Sequence, residues 1–214
     1  QLDYYVVLLL EWNKKINIVS RKDEENIWTY HILHSISILF KIEIKRNCSI
    51  VDIGTGGGLP GIPIKILRPD ISILCIDSTS KKINAVLQMI RDIKLNNIFA
   101  LWGRAEELGL HPEHSGKYDY TVARAVAPLK DLIYWSKSFL KRIGSDRLTI
   151  ETRENNRMGL NPPALIAFKG GDLSREIELA ERKYNQLNMQ SIDLTFYGSE
   201  QLIASDKKIL VVHF

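Results

Sequence analysis

Between residues 49 and 125 the hydrophobic pattern switches repeatedly between a strand period and a helix period. SIVDIG (49–54) and ISILCID (71–77) are short, β-branched and bounded by Gly, Pro or Asp, so they read as buried parallel strands. NIFALWG (97–103) and YDYTVARA (118–125) read as the next two strands. Helical segments separate them: LPGIPIKILRP, with Pro60 and Pro63 tolerable only near a helix start, and SKKINAVLQMIRDIKL (80–95), with Ile83, Val86, Leu87 and Ile90 on one face. Strands alternating with helices predict an α/β sandwich with a mostly parallel sheet.

The flanks extend this pattern. Residues 3–18 carry Tyr5, Leu8, Leu9, Trp12 and Ile16 at helical spacing, and a second helical pattern after Ser20 includes Ile27, Tyr30, His31, His34 and Ile38. They form an N-terminal helical element, 1–45, ahead of a domain spanning 46–214. After a helix at 129–142, the stretch 145–163 is polar and reads as an exposed insertion loop. A strand at 164–170, a helix at 172–187 and strands near 190–197 and 207–213 close the chain. No helix is expected between the last two, so they read as a hairpin-like pair. At 214 residues the chain reads as one medium-sized domain or one domain with a small appendage.

The ligand of an open α/β sheet sits beyond the strand C-termini, and there the chain places VDIGTGGGLPGIP (51–63). Gly56, Gly58 and Gly61 make a literal G-x-G-x-x-G, so a dinucleotide is the first guess. Asp52 argues against it, because a carboxylate at the loop repels a pyrophosphate. Asp52, Gly54, Gly56 and Gly58 at alternate positions suit a ligand that brings an ammonium group, and S-adenosylmethionine does. Asp77, ending the second strand, is placed to accept both ribose hydroxyls, a device that NAD enzymes share. Glu106 and the Ala105 backbone stand where an adenine edge would lie. Two plainer roles stay open: Asp52 as the cap of the next helix, and Glu106 as a solvated loop acid.

VDIGTGGGLPGIP, DSTSKK, RAEE and ARAVAPL closely resemble the RsmG (GidB) family, as do EWNKKINIVS, HILHS and AFKGG. The resemblance covers about residues 3–144 and 164–214. It implies a class I methyltransferase with a seven-stranded Rossmann-like sheet between helices. The implied reaction is S-adenosylmethionine-dependent methylation of a guanine N7 in 16S ribosomal RNA, in its 530-loop region. By position, the family's cofactor contacts fall on Gly54, Leu59, Asp77, Ser78, Thr79, Ala105, Glu106 and Arg124. Leu59 would pack on the cofactor, and Arg124 would be a positioning residue at the rim between cofactor and substrate, meeting the cofactor carboxylate or an RNA phosphate; a surface ion pair is the plainer role. Three departures stand out: His34 replaces the acid of the family's His-Ile-Leu-Asp-Ser, Lys207 replaces an Arg, and 145–163 replaces a short Gly-rich connection.

Arg104, Lys169 and Lys207 are candidates for an RNA-facing basic rim, although a solvated face explains each, and the formal charge of +4 is only a mild pointer to a polyanion. NPPA (161–164) resembles the Asn-Pro-Pro-aromatic motif of amino-group methyltransferases but precedes the wrong strand and ends in Ala164, so it reads as loop. The pairs His31/His34 and His111/His114 lack a third ligand, so no metal is expected. Trp12, Trp28, Trp102 and Trp135 read as core or partly core. Cys48 and Cys75 occupy strand-like settings that argue against disulfides and for a reducing cytoplasm. The start lacks Met, which reads as a trimmed N-terminus, and does not resemble a signal peptide. No apolar run approaches the ~20 residues of a membrane span. The expected partner is 16S ribosomal RNA or the small ribosomal subunit. The competing readings are an NAD-dependent oxidoreductase, which lacks a hydride-site acid/base pair here, and a non-catalytic RNA-binding protein.

Overall fold

The structure, a computed structural model, describes residues 1–142 and 157–214. A seven-stranded sheet has the order β4-β3-β2-β5-β7-β9-β8, built from β2 (Ser49–Ile53), β3 (Ser72–Asp77), β4 (Ile98–Trp102), β5 (Tyr120–Arg124), β7 (Ala164–Gly170), β8 (Asn188–Asp193) and β9 (Lys207–His213). The strands from β4 to β7 pair in parallel, while β9 runs antiparallel to both β7 and β8. The order reverses between β2 and β5, which opens a crevice at their C-terminal ends.

Side-chain alternation builds a core on each face. Ile50, Ile73, Cys75, Val122, Ile166 and Phe168 face one layer, which holds α1 (Leu2–Asn13), α4 (Gly61–Leu67) and α5 (Ser80–Ile93). Val51, Ile53, Leu74, Ala123 and Leu165 face the other, against α7 (Leu129–Phe139) and α8 (Ser174–Lys183). The N-terminal element is part of the first core, since Tyr5, Leu9, Ile27 and Ile32 pack in it. The Tyr5 hydroxyl also donates to the Gly57 carbonyl at 2.9 Å, tying α1 to the glycine loop. The expected boundary at residue 45 therefore crosses a continuous core.

Local differences have identifiable causes. The first helix stops at Asn13, whose side chain binds the Ile18 and Val19 amides at 2.8 and 2.9 Å and folds residues 14–19 into a loop. The second helical pattern begins as a 3₁₀ turn at Arg21–Asn26, becomes π-helical over Trp28–Leu33, then continues as α2 (His34–Ile36) and α3 (Ile38–Lys41). Of the expected insertion, 145–156 lies outside the described residues. The rest is not a loop throughout: β6 (Met158–Leu160) pairs in parallel with β1 (Ile42–Ile44). A five-residue helix, α9 (Glu200–Ala204), separates β8 from β9, so these strands are not a tight hairpin. Trp12 and Trp135 are half-buried, whereas Trp28 and Trp102 are exposed. Among the described residues no helix is long and apolar enough to cross a membrane.

Candidate active site

Two cavities flank the C-terminal end of β5. The first, about 310 Å³, is walled by Ile53 and Gly54 at the end of β2, Asp77, Ser78 and Thr79 at the end of β3, and Arg104, Ala105 and Glu106 after β4. Here the expected cofactor residues Gly54, Asp77, Ser78, Thr79, Ala105 and Glu106 converge. Gly54 holds φ at +67°, and a Cβ there would stand 2.6 Å from the Val126 methyls, so only glycine fits both conformation and space. Asp77 accepts from the Thr79 amide at 2.8 Å and the Gly56 amide at 3.0 Å. These bonds fix its carboxylate on the wall, and each oxygen keeps a lone pair for a ligand hydroxyl. Ala105 and Glu106 open a short helix, α6 (Ala105–Leu108), after β4. The Trp102 indole donates to the Ser78 carbonyl at 3.0 Å and buttresses the loop after β3. Lys82, Val126 and Trp135 also line this cavity, and the sequence reading missed all three.

Asp52 takes the plainer of its two roles. Strand alternation turns it to the α4 face, where it is 0% exposed and on neither cavity wall. Its Oδ2 accepts from the Thr55 hydroxyl at 2.6 Å and the Gly61 amide at 2.9 Å. A Cβ on Gly61 would lie 2.7 Å from that oxygen, so the close approach depends on glycine. Burial raises the Asp52 pKa to about 6, against the hydrogen bonds from Thr55 and Gly61 and the charge of Arg124. Asp52 thus anchors the glycine loop from beneath. Leu59 is buried in the core, so its side chain does not line the cavity, and neither do Gly56 and Gly58.

The second cavity, about 450 Å³, lies on the N-terminal element's side of the sheet. Asp23, Tyr30, His31 and His34 line it from that element, Arg124 and Phe168 from β5 and β7, and Lys207 from β9. Arg124 and Phe168 are register partners, so both point the same way. The Arg124 guanidinium donates to the Tyr30 carbonyl at 3.2 Å and lies 2.9 Å from His31 Nδ1. Burial, then the charge of Arg124, lowers the His31 pKa to about 4 despite the hydrogen bond with Asp23. The same two causes, joined by Lys207, lower that of His34 to about 3. Both rings are therefore neutral at pH 7.

The expected basic rim divides. Lys207 lines the second cavity, where Lys169 also reaches the wall but gives its ammonium to the Ala127 carbonyl and Glu176. Arg104 borders the first cavity instead, with a side chain 66% exposed and 3.6 Å from Glu106, a pair worth little in solvent. His111 and His114 lie on neither wall, and among the described residues no group of His, Cys, Asp and Glu is arranged to hold a metal ion.

The first cavity suits the adenosine half of S-adenosylmethionine: an anchored carboxylate for hydroxyls, a second acid in Glu106, and apolar walls from Ile53, Ile76 and Trp135 for a flat ring. Solved structures share the fold. A SAM-dependent methyltransferase from Aquifex aeolicus superposes with a TM-score of 0.56 at 13% identity, over 95% of this chain and 96% of that one. A ribosomal protein L11 methylase from Lactobacillus delbrueckii subsp. bulgaricus superposes with a TM-score of 0.54 at 19% identity, over 84% and 75%. In sequence, the chain is 36% identical to a ribosomal RNA small subunit methyltransferase G of Bacteroides fragilis, covering 92% of this chain and 86% of that protein. It is also 36% identical to the protein of the same name in Chlorobaculum tepidum, covering 98% and 87%. The model of the GidB family, rRNA small subunit methyltransferase G, matches residues 1–150, and the chain belongs to that family.

Proposed function

We propose that the chain methylates N7 of a guanine in 16S ribosomal RNA, using S-adenosylmethionine. The observation that carries the reading is a shared wall: Ala125 lines both the acid-lined cavity and the cation-lined one. Its backbone, at φ +54°, turns the chain out of β5 and sets Val126 against Gly54. A methyl donor and its acceptor can therefore meet at one residue.

S-adenosylmethionine supplies an electrophilic methyl on a sulfonium. Guanine N7 has an in-plane lone pair and no proton, so the chain need supply no general base. Its task is to align the acceptor and exclude water, which positioning alone can accelerate strongly. Asp77 and Glu106 hold the adenosine side, and Arg124, on the wall of the second cavity beside the shared Ala125 and steadied by Tyr30 and His31, is the positioning residue. Lys207 is placed for a phosphate. With ribosomal RNA as substrate, the chain works in the cytoplasm, on the free RNA or the small subunit.

The test is methyl transfer to 16S RNA lacking the modification, mapped by borohydride–aniline scission, beside RNA with 7-deazaguanine at the mapped position. One scission site and an inert deaza substrate are expected. Methylation of the deaza substrate would overturn the N7 assignment.

A further inference from the structure

Within the second cavity His34 is 4% exposed, and its Nε2 is buried with no hydrogen-bond partner. Its ring meets Phe168 edge-on at 5.4 Å. Buried polar atoms are nearly always paired, so an orphaned nitrogen on a cavity wall marks a place for a ligand atom. Arg124 Nε is buried and unpartnered in the same way, beside it on that wall.

Resting on the methylation reading above, we infer that this cavity takes the target base out of the RNA stack, and that His34 Nε2 selects guanine there by accepting its N1–H. The other polar groups explain the choice. Arginine only donates, so Arg124, whose Nε is unpartnered, suits the O6 acceptor of guanine and leaves its donor edge unmatched, while Lys207, also only a donor, is left for the phosphate. Among the described residues Asp23 is the one carboxylate on the wall, and it faces His31 at 3.4 Å. A neutral imidazole protonated on Nδ1 presents Nε2 as an acceptor, and as a buried ring nitrogen on this wall without a partner it is the one matched to N1–H. Adenine reverses the pattern, setting an amino group against Arg124 and an unprotonated N1 against the His34 acceptor. Such mismatches reject a ligand more strongly than lost contacts do. Tyr30 and Phe168 supply aromatic wall for the ring. The volume, about 450 Å³, lies within the usual range of ligand pockets.

The experiment compares short RNAs carrying guanine or 2-aminopurine at the mapped position. 2-Aminopurine keeps N7 and lacks both N1–H and O6. Binding to the protein loaded with S-adenosylhomocysteine and kcat/KM for methylation are measured for wild type, His34→Phe and His34→Gln. Wild type should prefer guanine, His34→Phe should shrink that preference roughly ten- to hundredfold, and His34→Gln, whose carbonyl also accepts, should keep most of it. His34→Leu replaces the Phe variant if that one does not fold. An unchanged preference in a folded His34→Phe or His34→Leu protein overturns the proposal, as does an equal loss for both RNAs, which marks a merely structural residue. Failure of the methylation reading appears separately, as wild-type protein that modifies no guanine; the binding preference still decides His34 in that case.

Discussion

Arg124 and His31 form a directed pair. Arg124 Nη2 lies 2.9 Å from His31 Nδ1, and His31 Nε2 lies 3.4 Å from Asp23 Oδ2. Arginine only donates, so Nδ1 must accept and the ring proton must sit on Nε2, toward Asp23. The imidazole passes the hold of Asp23 to a guanidinium on the wall of the second cavity, next to the shared Ala125. His31→Ala removes a partner of a charged donor, a bond worth about 1.5–3 kcal/mol. Methyl transfer should slow roughly ten- to hundredfold on that scale, while S-adenosylmethionine affinity, set in the other cavity, stays near wild type. Single-turnover rates and calorimetry check the two halves, and an unchanged rate removes His31 from the positioning of Arg124.

Two variants of Asp52 separate anchor from ligand contact. Asn keeps an oxygen for Gly61 and Thr55 and gives up the charge, whereas Ala gives up both hydrogen bonds. If Asp52 anchors the loop, Asp52→Asn should bind S-adenosylmethionine almost as wild type does, and Asp52→Ala should bind it at least about tenfold more weakly. Equal losses in calorimetry would return Asp52 to the ligand's ammonium.

What could be read from the residues follows the physics of each signal. The strands β2 to β5 and β7 are continuous apolar runs, and acids at their ends announce a ligand edge, so Asp77 and Glu106 were legible. The orientation of Asp52 was legible too, because it shares a strand face with Ile50; the motif drew attention to the ligand instead. Val126 was not legible. It reaches Gly54 only because Ala125, a residue with no local cue for the left-handed region, turns the chain there. Trp135 belongs to a helix whose tilt is a tertiary property. Met158–Leu160 is too short for a period of two to show, and its pairing with Ile42–Ile44 spans most of the chain. His31 and His34 shared a helix face in the sequence, but nothing local said that the face closes over Arg124.

Folding stability should fall as the solution is acidified through the histidine range. His31 and His34 have folded pKa values of about 4 and 3, and His213, buried with neither ring nitrogen partnered, is also lowered by burial. The unfolded chain protonates these rings below the ordinary 6.5 and the folded chain does not. Their contribution is therefore complete above that pH and is lost as pH drops toward the folded values. Asp52 acts oppositely: with a folded pKa of about 6 against an ordinary 3.8, it adds stability as pH falls between those values. His114 is lowered by burial as well, so four rings against one carboxyl leave a net loss, each group contributing at most about 1.4 kcal/mol per pH unit. The urea midpoint should be lower near pH 5 than near pH 7, and His213→Leu should flatten the difference. A midpoint independent of pH contradicts this balance.

Lys207 and Lys169 should separate in salt titrations. Lys207 lines the second cavity, and no hydrogen bond or ion pair holds its ammonium among the described residues. Lys169 is held by Ala127 and Glu176. Lys207→Ala should weaken RNA binding and reduce the slope of log affinity against log salt by about 0.7, the release expected for one single-strand phosphate contact. Lys169→Ala should leave that slope alone and lower thermal stability, since it strands Glu176 partly buried without its cation. Equal slopes for wild type and Lys207→Ala would remove Lys207 from the RNA contact.

The tightest coupling in the cofactor cavity is steric, between Gly54 and Val126. A Cβ on Gly54 would stand 2.6 Å from both Val126 methyls, and φ there is +67°. Gly54→Ala therefore faces two costs: the overlap, and a backbone conformation unfavourable to a residue with a Cβ by about 1–2 kcal/mol. Val126→Ala relieves only the first. S-adenosylmethionine binding should be lost or strongly weakened in Gly54→Ala, little changed in Val126→Ala, and partly restored in the double variant, which still carries the conformational cost. Equilibrium dissociation constants for the four proteins form a cycle whose coupling term should be favourable and at least about 1 kcal/mol, as for residues in direct contact. A coupling near zero would mean that the β5 exit and the glycine loop move apart when the cofactor binds, and that their contact is not part of the bound site.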